Sequence, residues 1–321
     1  MVVVTTPTAD AVDASVIVCT RNRSGAMTLL LESLQRLEVP PGVRWELIVV
    51  DNGSSDDTPA TLASFETLLP MQIVREPMPG LARARNAGLA AARGQVLLCT
   101  DDDCVPDSKW LAAVYEEFRR APTLGMLGGR VELYDARDRP TTTRTSRERR
   151  RITALFELDD IIGCNMSFRR SAFEAIGPFD VALGGGTGAR AGEDVDFVYR
   201  ALRAGIQMAY TPEALVYHNH GRRTDAQVRD LTRAYTVARG ALFCKYLLAG
   251  DAVILRRIQQ DLAFHRRAFA ADVRRARFPT RVFRHYAQIG AGAAYWIRHG
   301  LLGQFRRAAR AREDANTTRP R

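Results

Sequence analysis

The sequence predicts an α/β fold: a mostly parallel central sheet flanked by helices, followed by a C-terminal helical extension. Three observations point there. β-Branched apolar runs alternate with segments of helical spacing, the links between them are short, and polar residues cluster where the apolar runs end. The chain has 321 residues, 46% of them hydrophobic and 26% charged, which suits a globular protein of one large domain or two modest ones.

"SVIVCT" (residues 15–20) reads as a buried strand, and "GAMTLLLESLQRL" follows with helical spacing. "WELIVVDNGSSDDTP" repeats the plan, with a strand ending at Asp51, a Gly/Ser turn and a helix opened between Asp56 and Pro59. "MQIVRE" is a third strand and "LARARNAGLAAA" a helix ended by Gly94. "QVLLCT" is a fourth strand that runs into Asp101, Asp102 and Asp103. Right-handed crossovers join such strands into a parallel sheet, and ligands of such sheets bind beyond the carboxyl ends of the strands. Thr20-Arg21-Asn22, Asp51-Asn52 and the three aspartates are therefore expected at one edge.

Residues 134–151, "YDARDRPTTTRTSRERRR", lack apolar periodicity and are expected to form a mobile loop. "IIGCNMSFRRSAFEAIGPFD" returns to structure as an apolar segment and a short helix closed by Gly177-Pro178. "GGGTGARAGEDVDFVYRALRAG" is a glycine-rich loop feeding a helix. Glu193, Asp194 and Asp196 lie at its start, where the helix dipole favours negative charge. "AYTPEALVYHNHG" is a last strand ending in two histidines. From Thr224 to about Arg312 the pattern is helical and Arg-rich, and the terminal "EDANTTRPR" is expected to fray.

The net charge of +10 is unevenly spread: residues 222–321 carry 22 Lys and Arg against seven Asp and Glu, and the rest of the chain is acidic. No apolar run is long enough to span a membrane, and the first residues lack the basic and apolar stretches of a secretory signal. Five scattered cysteines with no CxxC pair suit a reduced, cytoplasmic setting without disulfides or zinc. The basic helices have three possible uses: packing on the rest of the chain, self-association into a homo-oligomer, or peripheral contact with the anionic inner face of the cell membrane. Nucleic acid is not an expected partner, because the basic segment has no nucleic-acid motif.

Three adjacent carboxylates repel one another, so the triplet at a strand end calls for a cation. Mg²⁺ or Mn²⁺ commonly bridges carboxylates to substrate phosphates. Blander readings stand beside this one: the triplet as a solvated turn, Asp51 as an Asx turn with Asn52-Gly53, and Arg83 and Arg85 as a solvated helix face.

The segments "VIVCTRNR", "LIVVDNGSSDDT", "PGLARARNAGL", "LLCTDDDCVP", "GCNMSFRR", "GEDVDF" and "VYHNHG", in this order over residues 14–221, resemble family 2 glycosyltransferases of the GT-A (nucleotide-diphospho-sugar transferase) fold. The resemblance implies residues 1–221 as a catalytic domain, with a nucleotide-sugar half (14–105) and an acceptor half (106–221). Residues 222–321 then form a basic helical region. It implies an inverting transfer from a nucleotide-sugar donor, a UDP-sugar first, to a hydroxyl of a glycan, lipid-linked or small-molecule acceptor. Thr20, with Arg21 and Asn22, would meet the base, although the family often has Tyr where Arg21 stands. Asp51 would hold base or ribose, Arg83 and Arg85 would lie near the nucleotide, and Asn165 would line the donor-sugar site. Asp101 and Asp103 match the DxD pair: Asp101 would bind ribose and help hold the Mn²⁺ or Mg²⁺, Asp103 would ligate it, and Asp102 would be a spare donor-site carboxylate. Asp194 matches the base, with Glu193 its rival. His218 is preferred to His220 as a further metal ligand, and imidazole beside Asp103 favours Mn²⁺. The competing classes are a nucleotidyltransferase-like enzyme and a non-catalytic nucleotide- or nucleic-acid-binding relative.

Overall fold

The computed structural model describes residues 12–154, 158, 160–274 and 279–317. The opening residues 1–11, where no secretory signal is read, and the last residues 318–321 lie outside that range.

The first half alternates as expected: β1 (Ala14–Thr20), α1 (Ser24–Leu34), β2 (Trp45–Asp51), α2 (Thr58–Phe65), β3 (Met71–Arg75), α3 (Leu81–Ala91) and β4 (Val96–Asp101). β1 pairs in parallel with both β2 and β4, and β2 with β3. Both faces of these strands are covered, which is why they read as unbroken apolar runs. α1 turns Met27, Leu30, Leu31 and Leu34 inward, and they pack with Val16, Val18, Leu47, Val49 and Leu98. α3 lies close on the other face. A Cβ at Gly88 would come within 2.7 Å of the Ile17 side chain, so this helix–strand contact depends on glycine.

Beyond β4 the direction mixes. The strand order is β3-β2-β1-β4-β8-β6-β9-β5, with β7 also on β9. The added elements are β5 (Cys104–Pro106), α4 (Trp110–Arg120), β6 (Leu124–Leu133), β7 (Arg150–Ile152), β8 (Asn165–Arg169), α5 (Arg170–Ile176), α6 (Glu193–Arg203) and β9 (Gln207–His218). β8 runs antiparallel to β4 and β6, β5 and β7 antiparallel to β9, and β6 parallel to β9. Parallel pairing is thus concentrated in the nucleotide-type half.

Of residues 134–151, expected to form a mobile loop, 134–144 are instead sutured to the end of β9, and Arg150 and Arg151 belong to β7. Tyr134 N donates to His218 O (3.1 Å), Arg139 N to Arg222 O (2.7 Å), and Val131 and Arg144 exchange a pair of backbone hydrogen bonds (2.9 Å each). Asp138, 4% exposed, accepts from Gly221 N (2.8 Å) and Arg223 Nε (3.1 Å).

The helical segments are α7 (Asp225–Leu248), α8 (Val253–Arg274) and α9 (Thr280–Thr317); α9 continues through residues 313–317, where fraying is expected from the sequence. By its contacts the chain divides into two compact units, Met1–Val181 with Glu193–Val228, and Ala182–Gly192 with Arg229–Arg321. Within the second unit, Gly240 and Gly292 let α7 and α9 cross closely: a Cβ on either would strike a backbone carbonyl of the other helix, at Ile289 and Val237. Asp261 of α8 receives Arg239 of α7 (2.9 Å) and His285 of α9 (2.9 Å), which ties the three helices. The glycine-rich segment joins here, with Tyr295 Oη donating to Ala182 O (2.8 Å) and Arg190 paired to Asp230 (2.9 Å). No helix among the described residues is long and apolar enough to cross a membrane.

Candidate active site

Strand register assembles the first part of the site. Thr20 pairs with Asp51 and Cys19 with Asp101, so the ends of β1, β2 and β4 lie level at one edge. The chain then turns through Asp102 and Asp103 into β5, whose register sets Cys104 opposite His218. That antiparallel pair delivers the His218 Nε2 to within 3.2 Å of Asp103 Oδ1. Asp102 Oδ2 accepts from Thr20 Oγ1 at 2.9 Å. Arg23, at the entry to α1 and about half exposed, reaches Asp103 Oδ2 (3.3 Å) and approaches Asp102 Oδ1 (4.0 Å).

The three titratable groups respond differently. Burial pushes the Asp102 carboxyl up to about 7, with the Asp103 charge adding to the effect and Arg23 opposing it. Burial also acts against Asp103, but the hydrogen bond and charge of His218, with Arg23, hold its carboxyl below the ordinary carboxylate range. His218 shows the complement: burial disfavours its charge, yet the Asp103 hydrogen bond and nearby negative groups raise it to about 9.

The second part sits at the start of α6 and is organised by Arg85 of α3. This guanidinium, 3% exposed, donates to Glu193 Oε1 (2.8 Å) and to Asp101 Oδ1 (2.9 Å), and lies 5.6 Å from the Phe179 ring centroid. Burial works against its charge, but the Asp101 and Glu193 carboxylates outweigh that and raise it further. Burial and the Asp194 charge push the Glu193 carboxyl up to about 7, against the pull of Arg85. Asp194 is half-buried and accepts from Gly163 N (3.0 Å) and its neighbour Val195 N (2.8 Å). Gly163 packs tightly: a Cβ there would lie 2.7 Å from Arg85 Nη2 and 3.1 Å from Asp194 Oδ2, so one of these side-chain ends would have to shift.

Several expected residues do other work. Asn165 is 1% exposed; its Oδ1 accepts from Trp110 Nε1 (2.9 Å) and its Nδ2 donates to Arg130 O (2.9 Å) and Ala214 O (2.8 Å). Both amide groups of this residue, expected to line the donor-sugar site, are engaged within the core. Arg85, expected near the nucleotide, is a buried clamp on two carboxylates, while Arg83 on the same helix is exposed. The Asp101 carboxylate turns to Arg85, and the residues whose ligand atoms lie within 4.8 Å of one another are Asp103, Cys104 and His218, without Asp101. Asp51 Oδ1 accepts from Ser54 N, three residues on, at 2.9 Å. Arg21 is exposed, and Asn22, at φ 55°, joins two turns by accepting from Ser55 N (2.7 Å). His220 lies beyond β9 and turns to Asp138 (3.5 Å). Sequence reasoning missed Arg23 and Gly163. Arg23 stands in the quoted "TRNR", but nothing local says which way it points.

The model of the glycosyl transferase family 2 matches residues 15–177, half of the chain. The chain belongs to glycosyl transferase family 2. Among curated relatives of this family 2 chain, the pre-mycofactocin glycosyltransferase of Mycobacterium tuberculosis is 29% identical over 232 residues, 68% of this chain and 44% of its own length. The succinoglycan biosynthesis protein ExoM of Rhizobium meliloti is 30% identical over 208 residues, 62% of this chain and 64% of its own. The chain thus spans well under the full length of both. A mannosyltransferase of Pyrobaculum calidifontis, solved with GDP-Man and Mn²⁺, superposes with a TM-score of 0.53 at 19% identity, covering 91% of this chain and 90% of that one. Residues 1–349 of S. aureus TarS, solved with UDP-GlcNAc, give 0.55 at 20% identity, covering 71% and 66%. At such identities the likeness concerns the fold, which is the GT-A fold expected from the motifs.

Proposed function

We propose that this family 2 chain is an inverting glycosyltransferase. It moves a sugar from a nucleoside diphosphate, with UDP-sugars the first to test, to a hydroxyl of a glycan, lipid-linked or small-molecule acceptor. The observation that carries the reading is the Asp103–His218 pair, an oxygen and a nitrogen ligand 3.2 Å apart at the sheet edge where nucleotides bind.

The donor set suits Mn²⁺ or Mg²⁺. Cys104 lies within the same group, but it is buried and hydrogen-bonded to Cys164, and a soft sulfur ligand suits neither ion as well as oxygen or imidazole does. Asp103 and His218 would then hold the ion as an O,N pair, a combination that leans toward Mn²⁺. A bound ion would supply Lewis-acid stabilisation of the leaving diphosphate. Arg85 keeps Asp101 and Glu193 in place. Asp194, the half-exposed carboxylate of its pair, takes the proton of the acceptor hydroxyl. That oxygen bonds to the anomeric carbon as the bond from this carbon to the diphosphate breaks, and the electron pair leaves with the diphosphate. Glu193 is the poorer base because its carboxylate is committed to Arg85.

Asp194→Asn should bind donor as the wild type does, yet transfer about 10²–10⁴-fold more slowly. Both are measurable with UDP-, GDP-, dTDP- and ADP-sugars. Unchanged turnover refutes the base, retained anomeric configuration refutes the single displacement, and pyrophosphate release from a triphosphate favours nucleotidyl transfer instead. The membrane belongs to the same reading: Leu255, Leu262 and Phe269 form an exposed stripe on α8 beside the exposed Arg256 and Arg266. Such a face suits anionic lipid, and failure to float with anionic vesicles excludes it.

A further inference from the structure

We infer that Thr142 is a positioning residue for His218: it fixes the imidazole so that Nε2 faces Asp103. This rests on the reading of Asp103 and His218 as the metal pair.

Proton bookkeeping carries the inference. The Thr142 Oγ1 lies 2.6 Å from Thr141 O and 3.2 Å from His218 Nδ1. A hydroxyl has one proton, and a carbonyl can only accept, so the shorter contact takes that proton. The hydroxyl oxygen is then the acceptor toward the ring, and His218 Nδ1 must carry hydrogen. With Nδ1–H held by Thr142, Nε2, 3.2 Å from Asp103 Oδ1, is the ring nitrogen that would give up its hydrogen to ligate a metal. A ligating histidine whose other nitrogen is fixed by a hydrogen bond has its tautomer and ring plane set in advance.

The backbone supports the same conclusion. Thr142 is β-branched and has φ 54°, a left-handed conformation such residues rarely adopt. Segment 134–144 holds it there through Asp138, the Val131–Arg144 bonds and the Arg139–Arg222 bond. A polar stretch without apolar periodicity is thus tied down at a strained residue whose hydroxyl meets the metal-site histidine, which is where strain tends to serve function.

The test uses the full chain, UDP and Mn²⁺, reading free Mn²⁺ by its hexaaqua electron paramagnetic resonance signal, with metal-free melting as a control. Thr142→Val keeps the branched shape and removes the hydroxyl. Thr142→Gly removes it and relieves the left-handed backbone, so its folding is not in question. Both should weaken Mn²⁺ binding about 10–100-fold, while Thr142→Ser stays near wild type. A structural role alone would lower the metal-free melting temperature of Thr142→Val and leave Mn²⁺ affinity unmoved in Thr142→Gly; that result overturns the inference. Wild-type binding that is lost in Asp103→Ala but kept in both hydroxyl-free variants overturns it while sparing the metal site. A wild type that binds no Mn²⁺ overturns both.

Discussion

The two carboxylate groups of the site, Asp101–Asp103 at the end of β4 and Glu193–Asp194 at the start of α6, are both acidic and both partly buried, yet their charges are balanced in different ways. At the first, Asp103 meets the buried His218 and, with Asp102, also faces Arg23, a counter-charge whose side chain is 49% exposed. At the second, Glu193 faces Arg85, whose side chain is 4% exposed and which also holds Asp101. A counter-charge at the surface can be displaced by an entering cation at little cost. One sealed in the interior cannot, because the carboxylates left behind have no water to turn to. The difference suggests that the first group is made to exchange partners and the second to keep them.

Removing each arginine tests that contrast. Arg85→Ala should cost about 3–5 kcal/mol, since it strands buried carboxylates, and chemical denaturation would measure it. A loss below about 1 kcal/mol would show that Arg85 is not a structural clamp.

The pH dependence sharpens the second half of the comparison. Burial and the Asp194 charge raise the Glu193 carboxyl from 4.5 to about 7. The folded state therefore holds this proton more tightly than the unfolded chain. The resulting stability is fully present below about pH 4.5 and is lost as pH rises through about 7. Denaturation at a series of pH values should show this decline, flattened in Glu193→Gln and indifferent to added Mn²⁺. A slope that Mn²⁺ abolishes would place its origin at the first group instead.

The smallest effect belongs to Arg23→Ala. An exposed pair contributes about 0–1 kcal/mol, so melting should barely change, while Mn²⁺ binding should hold or improve because Asp103 loses a competitor. Destabilisation equal to that of Arg85→Ala would erase the distinction between the two groups.

Much of the nucleotide-type half is legible in the sequence because its strands are buried on both faces and its polar residues fall at strand ends. β6 is not. Its "LGMLGGRVEL" carries glycines at positions where the core leaves no room: a Cβ at Gly129 would strike the Asn165 amide and the Ala214 carbonyl, and one at Gly128 the Asp160 carbonyl. Glycine demanded by close packing looks, in one dimension, like a break in a strand. The 134–144 segment misleads for a related reason. Its order comes from Asp138, Arg223 and backbone bonds, and hydropathy periodicity registers apolar faces only. Asn165 shows a further limit: the motif locates it, but the pairing of β8 decides that its amide turns to Trp110.

Gly163 shows how intolerance to change can arise without chemistry. It contributes one amide hydrogen and an empty space, yet even alanine would push into Arg85 and Asp194 together. In a saturation library, substitutions at position 163 should be poorly tolerated. An engineer would do well to leave it alone.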